Sequence, residues 1–96
     1  MSDRKTKEAR LRAIITDVAR RPKQVAAAEI QRIVNMLSDF HPTGSRKARH
    51  GYLYTVATER FMVNTHTPGD AHVKSYSVQD FLSAMERLGW YEEEQS

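Results

Sequence analysis

Gly51-Tyr52-Leu53-Tyr54-Thr55-Val56-Ala57-Thr58-Glu59-Arg60-Phe61-Met62-Val63-Asn64-Thr65 is the stretch whose reading decides the fold. Tyr52, Tyr54 and Val56 fall at alternate positions, so they share one face of a strand, and aromatic and β-branched types suit a half-buried pleated surface. Ala57-Thr58-Glu59 reads as a hairpin connection. Residues 60–65 read as the return strand, with Phe61 and Val63 on one face. A shorter strand across residues 45–49 is a further candidate, with no large apolar side chain to mark it.

Working outward, Leu11, Ile14, Ile15 and Val18 fall at i, i+3, i+4 and i+7, the stripe of an amphipathic helix over about residues 5–20. Pro22 ends it by removing a backbone donor and disfavouring helix at Arg21. Val25, Ala26, Ile30, Ile33, Val34 and Leu37 mark a second helix, which stops before the turn-forming His41-Pro42-Thr43-Gly44-Ser45. Beyond the hairpin, Thr67-Pro68-Gly69-Asp70 predicts a turn-rich connection. Ser77-Val78-Gln79-Asp80 approximates a capping box, with Ser77 as N-cap and Tyr76 and Phe81 at the staple positions. Val78, Phe81, Leu82, Met85 and Leu88 form the buried stripe of this last helix. Gly89 suits the left-handed position after it, and Trp90 and Tyr91 are expected to fold back on the core.

The order α–α–β–β–β–α predicts an α+β fold, a small three-stranded antiparallel sheet covered on one face by helices. Ninety-six residues allow one domain with a modest core. Residues 1–24 form a helical extension expected to cover an edge or face of the sheet. Residues 25–91 form the core, and residues 92–96 an acidic tail. No apolar run is long enough to span a bilayer, no signal-peptide pattern follows the charged N-terminus, and there is no cysteine. A cytoplasmic protein is expected.

The net charge of +3 conceals an asymmetry. Residues 1–50 hold twelve Lys/Arg against five Asp/Glu, whereas residues 51–96 hold three against seven. A cationic half with an acidic tail points to a polyanionic partner; a solvated basic helix with an ordinary acidic terminus accounts for the same numbers.

The chemistry concentrates where the basic run Arg46-Lys47-Ala48-Arg49-His50 meets the strand. His41, His50, His66 and His72 make no helical i, i+4 pair and no HExxH motif, so neither a metal nor a cofactor is expected. A ribonuclease needs only a base for the ribose 2′-hydroxyl proton and cations for the charge growing on phosphate. An imidazole with an unperturbed pKa of about 6.5 suits that base, and neighbouring cations favour its neutral form. His50 is the candidate base, with Arg46, Lys47 and Arg49 as phosphate contacts. His66, at the end of the return strand, is a second candidate that an antiparallel hairpin would bring near His50. Tyr52 and Tyr54 could stack unpaired bases. The plainer alternatives are a solvated basic loop at His50 and two core tyrosines packed under a helix.

From about residue 29 to residue 90 the chain resembles the HicA family of bacterial toxins. Ile30, Ile33, Val34 and Leu37 resemble the family's first helix. Ala48-Arg49-His50-Gly51-Tyr52-Leu53-Tyr54 is similar to its Gly-Ser-His and following strand, with Ala48-Arg49 standing where the family has Gly-Ser. Val63-Asn64-Thr65-His66 resembles its Val-Pro-x-His strand end, with Asn64 at the Pro position. Residues 78–90 resemble its closing helix. The resemblance implies a double-stranded-RNA-binding-domain-like fold and metal-independent cleavage of messenger RNA. It further implies His50 as the catalytic histidine and a HicB-type antitoxin as partner. The alternatives are an RNA- or DNA-binding module without catalysis, and an interaction domain whose Leu11-Ile14-Ile15-Val18 stripe docks a partner or a second copy of the chain.

Overall fold

The computed structural model of the chain describes residues 2–65 and 71–93. The expected turn at residues 67–70, His66 and most of the acidic tail lie outside these residues. The described elements are α1 (Ser2–Arg20), α2 (Ala27–Leu37), β1 (Thr43–Ala48), β2 (Gly51–Val56), β3 (Glu59–Asn64) and α3 (Ser75–Arg87). They form an α+β structure whose sheet has the order β1-β2-β3, antiparallel throughout. No described helix is long and apolar enough to cross a membrane.

The central hairpin folds as its alternation dictates. Tyr54 pairs with Phe61 and Tyr52 with Val63, so these four residues and Val56 share one face, while the Leu53–Met62 pair falls on the other. The connection is only Ala57-Thr58, and β3 begins at Glu59, one residue earlier than expected. Ala57 takes φ 53°, a left-handed conformation that costs an L-residue about 1–2 kcal/mol. The first strand is real and longer than the sequence suggests. β1 runs over Thr43–Ala48, yet its side chains are largely exposed, so the ladder with β2 holds it there and not burial.

One apolar cluster runs through the molecule. It joins Leu11, Ile15 and Val18 of α1 to Ile30, Ile33 and Leu37 of α2, Tyr54, Val56, Phe61 and Val63 of the sheet, and Val78, Phe81 and Met85 of α3. The placement of α1 departs from expectation, because it packs on α2 and α3 and not over the sheet. The physical reason is the stripe itself. Leu11, Ile15 and Val18 are fully buried, each worth about 1.5–3 kcal/mol, and the helix layer offers them an apolar surface. Leu11, Ile15 and Val18 are therefore covered within the chain and offer no free docking surface, while Ile14 stays partly buried at the rim. Arg12 fastens the arrangement: it donates to the Gly89 carbonyl at 2.6 Å and lies 5.0 Å from the Trp90 ring.

α2 starts with half a capping box. The Glu29 carboxylate accepts from the Ala26 N–H at 2.8 Å, and the Arg21 guanidinium grips the same carboxylate and Asp17. Hydrogen bonding to Arg21 holds the Glu29 carboxyl below its usual range. The C-terminus of α3 closes as expected, with Gly89 at φ 83° and its N–H donating to Glu86, while Trp90 N–H reaches Met85. Trp90 is buried, and its indole N–H donates to His41 Nε2 at 2.9 Å.

The N-terminus of α3 corrects the expectation. The helix begins at Ser75 after Lys74, so Ser77 lies inside the first turn and not at the cap. The cause lies upstream: Val73 N–H bonds the Val25 carbonyl and Lys74 N–H bonds the Asn64 carbonyl, which delivers the chain into helix three residues sooner. Ser77 is fully buried, and its Oγ accepts from the Asn64 N–H at 3.0 Å. Tyr76 is exposed and takes no part in a staple; its hydroxyl accepts from Asn64 Nδ2.

Candidate active site at the β1–β2 turn

Ala48 pairs with Gly51, which leaves Arg49 and His50 as the two residues of the hairpin turn. His50 thus sits at the tip between the strands, immediately before β2. Its backbone is anchored from the side of β3. The His50 carbonyl accepts from Thr65 N–H at 3.0 Å and lies 3.3 Å from the Thr65 hydroxyl. Its imidazole is exposed, and among the described residues no hydrogen bond engages it. The antiparallel pairing sets Thr65 opposite His50, as the sequence reading required for an approach by His66, but His66 itself lies outside the described residues.

Gly51 makes this geometry possible. A Cβ there would come within 1.8 Å of the Val63 carbonyl oxygen and 3.0 Å of the Asn64 Cα, both backbone atoms of β3. The absent side chain lets β2 lie against β3 directly beside the histidine. Gly44, by contrast, has open space where a Cβ would stand.

A groove of about 370 Å³ opens beside the turn, between the start of α2 and the face of the sheet. Lys47, Arg49, His50, Tyr52 and Tyr54 line it, with Ala27, Gln31, Val63 and Thr65 completing the walls. Side-chain alternation explains the selection. Lys47 pairs across from Tyr52 and shares the groove face, whereas Arg46 pairs with Leu53 and points to the opposite face. Arg46 lines a separate shallow cleft with Leu53, Thr55 and Arg60. The three expected phosphate contacts are therefore divided, two on the side of His50 and one behind the sheet.

The two tyrosines divide as well. Tyr54 is buried, 4 % exposed, and burial raises its phenol above the ordinary value. Tyr52 keeps 42 % of its surface exposed, and its ring stacks on Tyr54 with centroids 6.0 Å apart. Tyr54 is thus a core residue that supports Tyr52, and Tyr52 presents the accessible ring. Nothing in the sequence marks Thr65, Gln31 or Ala27 as site residues. They carry no distinctive type or spacing, and only the packing of α2 and the hairpin register bring them to the groove.

Among the described residues no three His, Asp or Glu side chains converge to hold a metal ion. Comparison with protein-family models, with curated proteins and with solved structures finds no match to this chain.

Proposed function

We propose that this protein is a metal-independent endoribonuclease of the HicA type, acting on messenger RNA in the cytoplasm and restrained by a HicB-type antitoxin. The observation that carries the reading is the convergence of His50, Lys47, Arg49 and the exposed ring of Tyr52 on one groove. The order α2–β1–β2–β3–α3 supports it too, being the helix–three strands–helix order of a double-stranded-RNA-binding-domain-like fold.

In this reading the neutral His50 imidazole takes the proton of a ribose 2′-hydroxyl. The 2′-oxygen attacks the adjacent phosphorus, the bond to the 5′-oxygen breaks, and the leaving oxygen takes a proton from water. The products are a 2′,3′-cyclic phosphate and a 5′-hydroxyl. Lys47 and Arg49 neutralise the charge that grows on the phosphate oxygens. Tyr52 stacks a splayed base, held from beneath by Tyr54. Thr65 fixes the turn through the His50 carbonyl, which leaves the imidazole free to meet its substrate.

The test is cleavage of RNA by purified protein with a chelator present. His50→Ala is expected to lower the rate by about 10²–10⁴-fold, the usual worth of a positioned general base, with an unchanged unfolding midpoint. Equal cleavage by the variant removes the catalytic role. Salt-sensitive RNA binding with no product from the parent protein would instead assign a binding module on the same groove.

A further inference from the structure

β1 lies at the end of the sheet, and among the described residues its second edge is unpaired. The two-residue turn makes Ala48–Gly51 a hydrogen-bonded pair, and such pairs recur at every second position, so Arg46–Leu53 and Gly44–Thr55 belong to the same class. The Ala57 N–H bonds the Pro42 carbonyl at 2.8 Å, which continues that alternation past the strand end. The backbone N–H and C=O groups of Ser45 and Lys47 therefore face away from β2. Among the described residues they have no hydrogen-bond partner on that side. Residues 44–47 are exposed, and no described residue covers this edge. Nor do Arg46, Lys47 and Arg49 form an ion pair among the described residues.

We propose that the open edge of β1 accepts an extended acidic segment of a partner protein as a fourth strand. Strand addition satisfies the N–H and C=O groups of Ser45 and Lys47, and side chains alternating along the added strand meet Lys47 on the groove face and Arg46 on the other. Acidic residues on either face thus find a cation. A second copy of this chain fits poorly, because pairing β1 with β1 sets Arg46 and Lys47 among their own like charges. RNA satisfies the cations but offers no alternating backbone ladder to the edge. Where the ribonuclease reading holds, on which this consequence rests, the added strand borders the His50 groove and gives an antitoxin a means of closing it.

The probe is a labelled octapeptide of glutamate pairs alternating with valine pairs, which puts carboxylates on both faces of an added strand, with lysine in place of glutamate as control. Binding is followed by fluorescence anisotropy and by amide hydrogen exchange. The acidic peptide is expected to slow exchange at the Ser45 and Lys47 amides at least tenfold, leaving that of Arg46 unchanged, and the basic peptide is expected to do neither. Ser45→Pro removes an edge N–H without touching the β1–β2 ladder, and it should weaken acidic-peptide binding at least tenfold while RNA cleavage by the free protein stays unchanged. Arg46→Glu, which leaves the backbone intact, should weaken the same binding. Failure of the peptide to protect the two amides, or undiminished binding by both variants, overturns the proposal. Cleavage without peptide binding removes the strand-addition site alone. Peptide binding by a protein that never cleaves RNA retains the edge and removes the ribonuclease reading.

Discussion

Replacing Gly51 by alanine tests the link between the strand packing and the candidate site. The new Cβ would stand 1.8 Å from the Val63 carbonyl oxygen and 2.8 Å from its carbon. An ordinary carbon–oxygen contact needs roughly 3.3 Å, so β2 and β3 must part by about 1.5 Å at this point. Strands normally lie about 4.8 Å apart, and an opening of that size exceeds what their hydrogen bonds tolerate. The bond from Thr65 N–H to the His50 carbonyl is the nearest to be lost. Overpacking costs about 1–3 kcal/mol, and each lost backbone bond adds about 1 kcal/mol, giving a total of about 2–4 kcal/mol. For a chain of this size that corresponds to a fall in Tm of roughly 10–25 °C. Urea unfolding should show a midpoint lowered by about 1–2 M. Gly44→Ala is the internal control, since nothing lies within 4 Å of its added methyl, and its midpoint should hardly move. Under the ribonuclease proposal, RNA cleavage assayed well below the variant's Tm should also fall, because the His50 turn loses its anchor on β3. An alanine variant at position 51 with the parent's midpoint and full cleavage refutes the close-approach argument.

Three further perturbations probe the frame around the site. Ala57→Gly relieves the left-handed backbone of the β2–β3 turn and should stabilise the protein by about 0.5–1 kcal/mol, the strain relieved outweighing the extra freedom of the unfolded chain; urea denaturation showing no gain would argue against strain there. Ser77→Ala strips the part-buried N–H of Asn64 of its acceptor and should cost about 1–3 kcal/mol in the same assay, whereas a surface-like change below about 0.5 kcal/mol would contradict the assigned bond. Glu29 is held below its ordinary pKa of 4.5 by hydrogen bonding to Arg21, so its stabilisation is present above that value and is lost as pH falls through the depressed folded one. Glu29→Gln should therefore flatten the acid limb of the stability profile, and a variant with the parent's acid limb would show that the pair contributes nothing.

Periodicity and punctuation in the sequence sufficed for the elements whose stability is local. The stripe Leu11-Ile14-Ile15-Val18, the break at Pro22, the alternation from Tyr52 to Val63 and the cap at Gly89 each specify a conformation through neighbours a few residues away. His50 was legible as a candidate for the same reason, since its basic and aromatic surroundings are contiguous. Tertiary contacts decided the rest. β1 has almost nothing apolar to bury, and it is a strand because β2 offers it a ladder. Ser77 has the type of a cap, yet a chain already tied to Val25 and Asn64 enters the helix earlier and turns its hydroxyl to β3. Lys47 and Arg46 are adjacent and chemically alike, and only the two-residue turn, by setting the register, sends one into the groove and the other behind the sheet. Composition and spacing carry short-range physics, whereas the face on which a side chain acts depends on a register that no local pattern contains.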